Sequence, residues 1–138
     1  MTSSIVIFID EEGNELVLQH QRGLPAKVVE LTERWPAGKG MIGRVALTGI
    51  PSFAEDERSV SEIDPTIREL ARLQAVGDVP LESKGKVLGV MTVFLNHPHK
   101  FSENERLMLQ AFGKQIGIAL ENARLYEMGR EREQHVRR

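Results

Sequence analysis

The chain has 138 residues, 41% hydrophobic and 28% charged, a makeup that supports one folded domain with a real core and leaves no room for two. A formal net charge of -2 gives neither the electrostatic footprint of a nucleic-acid binder nor a polybasic membrane anchor. The absence of cysteine excludes disulfides, thiolate metal sites, cysteine nucleophiles and thioether-linked chromophores.

Residues 5–9 are β-branched and aromatic and read as a strand buried on both faces, followed by a turn at 10–14. The run is far too short to span a bilayer and lacks the basic lead-in and cleavage pattern of a signal peptide, so a cytoplasmic protein is expected. Residues 15–20 alternate, with Leu16 and Leu18 on one face and Glu15, Val17 and Gln19 on the other, closing an antiparallel hairpin. Gly23 and Pro25 break the pattern and lead into a less regular stretch at 28–34. Residues 41–48 carry apolar side chains at helical spacing, ended by Gly49 and kept from resuming by Pro51.

A short strand at 51–54 and an acidic surface loop at 55–64 follow. Asp64 is placed to cap a helix with Pro65 at its first position, and Ile67, Leu70 and Ala71 form its apolar stripe up to about residue 74. Strands at 78–82 and 86–95 flank the tight-turn run Ser83, Lys84, Gly85. In the second of them Gly89, Met91 and Val93 face one way, and Leu88, Val90 and Phe94 the other.

The last helix is the clearest element. Ser102 with Glu105 three residues on is a capping box. Leu109, Phe112, Ile116, Ala119, Ala123 and Tyr126 then recur at spacings of 3, 4, 3, 4 and 3, a seam of the coiled-coil type suited to a homodimer. A second apolar line, Ala111, Ile118 and Leu125, lies on another face, so the helix needs two partners. Arg130, Arg132, Arg137 and Arg138 are interleaved with Glu131 and Glu133 and read as a solvated face. The element order implies an α+β domain: a central antiparallel sheet of about five or six strands flanked by helices, with a long C-terminal helix.

Four stretches, in this order and at these distances, resemble the GAF family of signalling domains. They are the glycine-punctuated run from Gly38, Gly40 and Gly43 to Gly49 and Pro51; Val79, Pro80 and Leu81; residues 85–91, from Gly85 through Leu88 and Gly89 to Met91; and the closing helix from Phe101 and Ser102 to Leu125, Tyr126 and Glu127. The resemblance implies a GAF-like domain over residues 1–127, with 128–138 as a helical extension toward an output domain. Family members usually carry a helix before the first strand; here the strand begins almost at once, so the chain reads as part of a longer protein.

The resemblance further implies signal reception: a small molecule held on one sheet face, or dimerisation alone, in a bacterial signalling protein such as a sensor histidine kinase. Mapped onto this chain, the family's pocket is framed by Phe53, Glu55, Asp56, Leu70, Leu73, Val76, Met91 and Val93. The bland alternative is that the apolar members simply fill the core, leaving a ligand-free dimerisation scaffold. The two carboxylates disfavour an anionic ligand. In this family a covalent bilin and free-methionine-sulfoxide reduction both need cysteine, which the chain lacks.

The family's cyclic-nucleotide signature is met at Asn96 and Phe101 but departs at His97, where lysine is expected, and at Glu105 and Arg106. Haem or metal ligation by His97 and His99, with Glu103 nearby, has no established ligand spacing behind it. Gly38, Gly40 and Gly43 do not follow a strand or end in the residues of a phosphate loop. No nucleophile and base pair is legible, so no enzyme is expected.

Overall fold

The computed structural model describes residues 3–10, 15–56 and 63–136, with side chains up to residue 129. The turn at 11–14, the middle of the acidic loop at 57–62 and the charged side chains beyond residue 129 lie outside the described residues.

The elements run β1 (Ser3–Asp10), β2 (Glu15–Arg22), α1 (Ala26–Thr32), β3 (Arg34–Pro36), α2 (Gly40–Thr48), β4 (Ser52–Ala54), α3 (Pro65–Ala71), β5 (Ala75–Ser83), β6 (Lys86–Leu95) and α4 (Glu103–Val136). They build one six-stranded antiparallel sheet in the order β3-β2-β1-β6-β5-β4. Because both faces of the sheet are covered, the central strands are apolar at both parities. Val6, Phe8, Leu16, Val76, Val90 and Phe94 face α1, α2 and α3. Val79, Leu81 and Met91 face α4, where Leu109, Ile116 and Leu120 pack on them.

The punctuation acts as the sequence predicts. Gly49 takes φ 71° at the end of α2, and its N–H donates to the Val45 carbonyl. Asp64 caps α3 by accepting from the Thr66 N–H at 2.9 Å. Ser102 and Glu105 complete a reciprocal box at the start of α4, at 3.0 and 3.1 Å. Lys84 and Gly85, both at positive φ, turn β5 into β6.

Several boundaries differ. The stretch expected to be irregular holds α1 and β3. Val28 and Thr32 stand one turn apart on its buried face, and the Thr32 hydroxyl donates to the Val28 carbonyl at 2.7 Å. β3 is a three-residue edge strand ending in proline, too short to carry a period. α3 stops at Ala71 rather than near residue 74 because Arg72 turns left-handed at φ 52°. β5 begins at Ala75, earlier than expected. β1 is not buried on both faces throughout: Val6 and Phe8 are, whereas Ile5 is 46% exposed and Ile7 and Ile9 are half-buried. α4 runs without a break from Glu103 to Val136. Among the described residues no helix is long and apolar enough to cross a membrane.

Candidate functional site

Among the described residues Asp78 is the one buried carboxylate, and it lies in the middle of the sheet. It sits in β5 directly opposite Thr92 of β6, and both are fully buried. The Thr92 hydroxyl donates to Asp78 Oδ1 at 2.7 Å. The other oxygen, Oδ2, is buried and has no hydrogen-bond partner. Burial pushes the carboxyl from its ordinary 3.8 up to about 7, and the hydroxyl bond only partly opposes that. A buried acid with one oxygen left unpartnered is costly, and such groups concentrate at functional sites.

Asp78 lies on the wall of a cavity of about 40 Å³ between the sheet and α1, α2 and α3. Trp35, Met41, Ile42, Ile67, Val76 and Phe94 supply most of the remaining wall, with Asp64 at its edge. Local chain chemistry holds this wall in place. Gly43 lets α2 start hard against the preceding turn, where an added Cβ would meet the Gly38 backbone at 2.6 Å. Trp35 is fixed by its indole N–H donating to the Lys39 carbonyl at 2.9 Å, while the Lys39 ammonium sits 4.4 Å from the ring centroid.

The residues mapped from the family pattern do not converge on this cavity; Val76 is the one that lines it. Leu73 is core, and Leu70 is 41% exposed, beside a separate cleft with Pro25 and Arg72. Phe53, Met91 and Val93 point to the opposite face of the sheet, under α4. Asp56 is exposed. Glu55 ties two segments together: it accepts from the Phe101 N–H at 2.8 Å and from Arg106 at 2.6 Å. Arg106 also donates to the Phe101 carbonyl at 3.1 Å and covers the Phe53 ring at 4.7 Å.

The His-Pro-His loop belongs to the same fastening. His99 pairs with Glu105 at 2.9 Å, and its ring stands edge-on to Phe101. Bonds from Ser102 and His99 hold the Glu105 carboxyl below its ordinary value. His97 and His99 lie 6.2 Å apart, centroid to centroid. Among the described residues no group of three or more acidic or imidazole side chains could hold a metal ion.

The stripe expected as a dimer seam also divides. Leu109 and Ile116 pack on the sheet, while Phe112, Ala119, Ala123 and Tyr126 are exposed. The outward face of α4 joins Met108, Ile118, Leu125 and Tyr126, each about half exposed or more, with the exposed Ala111.

The GAF-domain family profile matches residues 1–121. The chain belongs to the GAF family. Among curated proteins it is similar to the probable 3',5'-cyclic phosphodiesterase pde-5 of Caenorhabditis elegans, at 30% identity over 108 residues. That match covers 75% of this chain and only 15% of the phosphodiesterase. Among solved structures it resembles the GAF domain of a phosphoenolpyruvate-protein phosphotransferase from Coxiella burnetii, with a TM-score of 0.77, 23% identity, and coverage of 91% of this chain and 75% of that one. A domain assigned to a two-component sensor histidine kinase from Sinorhizobium meliloti gives 0.74 at 19% identity, covering 92% and 84%. Free methionine-R-sulfoxide reductase from Neisseria meningitidis, in complex with its substrate, gives 0.70 at 25%, covering 89% and 70%. The antiparallel sheet with its long closing helix is therefore the GAF fold.

Proposed function

We propose that this GAF domain is the regulatory, ligand-sensing module of a cytoplasmic bacterial signalling protein such as a sensor histidine kinase. The observation that carries the reading is the unpartnered buried oxygen of Asp78 on the wall of the cavity. A group of that kind lowers stability, and a bound molecule would relieve it. The route outward is short. Val79 and Pro80 follow Asp78 in β5, and an added Cβ on Gly113 of α4 would stand 2.5 Å from the Pro80 carbonyl. A shift of β5 on filling the cavity would therefore be felt by α4, the helix that leads toward an output domain.

Sensing is favoured over catalysis because the chain has no thiol for the reduction carried out by its structural neighbour. Native mass spectrometry on gently purified protein, with an absorption spectrum of the same sample, tests the reading. Extra mass on the folded chain supports it, and the bare polypeptide mass under every purification condition counts against it.

A second reading is a ligand-free dimerisation scaffold. It is favoured by the small cavity and by the outward apolar face of α4 around Met108, Ile118 and Leu125. Homodimerisation through that face is compatible with either reading.

A further inference from the structure

Resting on the sensing reading above, we propose that the cavity takes an organic ammonium, a primary amine on a short apolar body, with its charge against Asp78. The charge roster of the wall selects this class. Asp78 and Asp64 are the ionisable side chains lining the cavity; no lysine, arginine or histidine is among the described lining residues. Asp64 has one oxygen engaged by the Thr66 N–H, and Asp78 has one oxygen with no partner. A phosphate or carboxylate would therefore meet like charge with no cation among the described lining residues to neutralise it. Above pH 7, where this carboxyl is ionised, a neutral alcohol could donate to Asp78 Oδ2 but would leave the buried negative charge uncompensated. An ammonium supplies both the donor and the opposite charge.

The remaining wall suits the body of such a molecule. Met41, Ile42, Ile67 and Val76 are aliphatic or thioether, and Trp35 and Phe94 are aromatic. Aromatic faces accept cations, and Trp35 already carries the Lys39 ammonium on one face. The Thr32 hydroxyl is committed to the Val28 carbonyl, so it makes no competing demand. Size sets the limit. At about 40 Å³ the cavity is well below the roughly 150 Å³ that admits benzene, so the body has only a few carbons unless the wall yields. The α3 wall is the one able to yield, since Ile67 is the sole buried residue of that short helix.

The test compares three four-carbon probes on the 138-residue chain at pH 8, where Asp78 is ionised: n-butylamine, 1-butanol and butyrate. The readout is the indole resonance and fluorescence of Trp35, the chain's single tryptophan. Butylamine is expected to perturb Trp35 and to bind at least about tenfold more tightly than butanol, the usual worth of a charged hydrogen bond. Butyrate should not bind. In Asp78→Asn the preference for amine over alcohol should vanish while butanol binding persists. Equal binding of amine and alcohol by the unaltered chain, or an amine preference that survives in Asp78→Asn, overturns the ammonium assignment and leaves the cavity standing as a ligand site. If none of the probes perturbs Trp35, the assignment fails, and the bound mass seen in native spectrometry then decides the sensing reading by itself.

Discussion

Gly117 of α4 lies against the backbone of Glu82 in β5, so close that a Cβ at this position would overlap the Glu82 carbonyl. Gly113, one turn earlier, meets the Pro80 carbonyl in the same way. Alanine is the better helix former by about 1 kcal/mol, so propensity alone predicts that Gly117→Ala stabilises. Contact geometry predicts the reverse. The obstacle is backbone, which cannot swing aside, so the helix must lift from the sheet at a cost on the order of 1–3 kcal/mol. Urea unfolding should show Gly117→Ala less stable than the parent. Gly129, with nothing within 4 Å, is the control, and Gly129→Ala should be neutral or stabilising. A stabilised Gly117→Ala would mean that α4 does not sit on β5 as described.

Asp78 should leave a signature in the pH dependence of stability. Its folded carboxyl titrates near 7, above its ordinary 3.8. Between those values the folded chain holds a proton that the unfolded chain has released. Unfolding free energy must therefore fall as pH rises through that window, and level off above it. A shift of this size corresponds to about 4 kcal/mol, an upper bound for a group that can relax. Asp78→Asn removes the titration. Relative to the parent it should be more stable at pH 8, with the difference shrinking toward zero near pH 4. Denaturant unfolding at several pH values checks this. The paired difference matters because Glu105, held low by Ser102 and His99, contributes a slope of opposite sign.

Glu55 links the end of β4 to the start of α4. Removing it takes away the acceptor of the Phe101 N–H and of one arm of the Arg106 guanidinium. Glu55→Ala should cost about 1–3 kcal/mol, the usual penalty for leaving partly buried donors unpaired. Hydrogen exchange should rise at Phe101 and through the first turn of α4 but not in β1 or β6. Uniformly faster exchange would mean that the tie stabilises the whole fold rather than the helix start.

Much of the fold was legible because its boundaries are set by local chemistry. Gly49, Asp64 with Pro65, Lys84 with Gly85, and the Ser102–Glu105 box each act through neighbours a few residues away. The site was not legible for a reason that the sheet itself supplies. Met91 and Val93 point to α4, whereas Val90 and Phe94 point to the cavity side, and both parities are apolar because both faces are covered. Alternation then gives two faces without saying which one is hollow. A usable signal existed in Asp78, a lone acid between Val76 and Val79 in an otherwise buried strand. A strand read as starting at Asp78 makes the residue a terminus, where an acid is ordinary; β5 in fact begins at Ala75. Trp35 and Ile63 reach the cavity from a short edge strand and a loop, where no period exists to follow.

The faces of α4 can be separated by a pair of substitutions two residues apart. Ile116 is packed on the sheet against Met91 and its neighbours, while Ile118 is 46% exposed on the outward face with Leu125. Ile116→Asp buries a charge at the sheet contact and should destabilise the domain by several kcal/mol or prevent folding. Ile118→Asp should leave the melting transition of the isolated domain within about 0.5 kcal/mol of the parent, as surface changes usually do. If a homodimer forms through the outward face, the same change places two carboxylates in the apolar seam and should shift sedimentation to the monomer. A folded Ile118→Asp that still sediments as a dimer would remove the outward face of α4 from the interface. A folded, stable Ile116→Asp would show that this side of the helix is not the one holding the sheet. The seam read from spacing alone joined residues of both kinds, because a 3–4 repeat fixes a stripe on a helix but not the body that covers it.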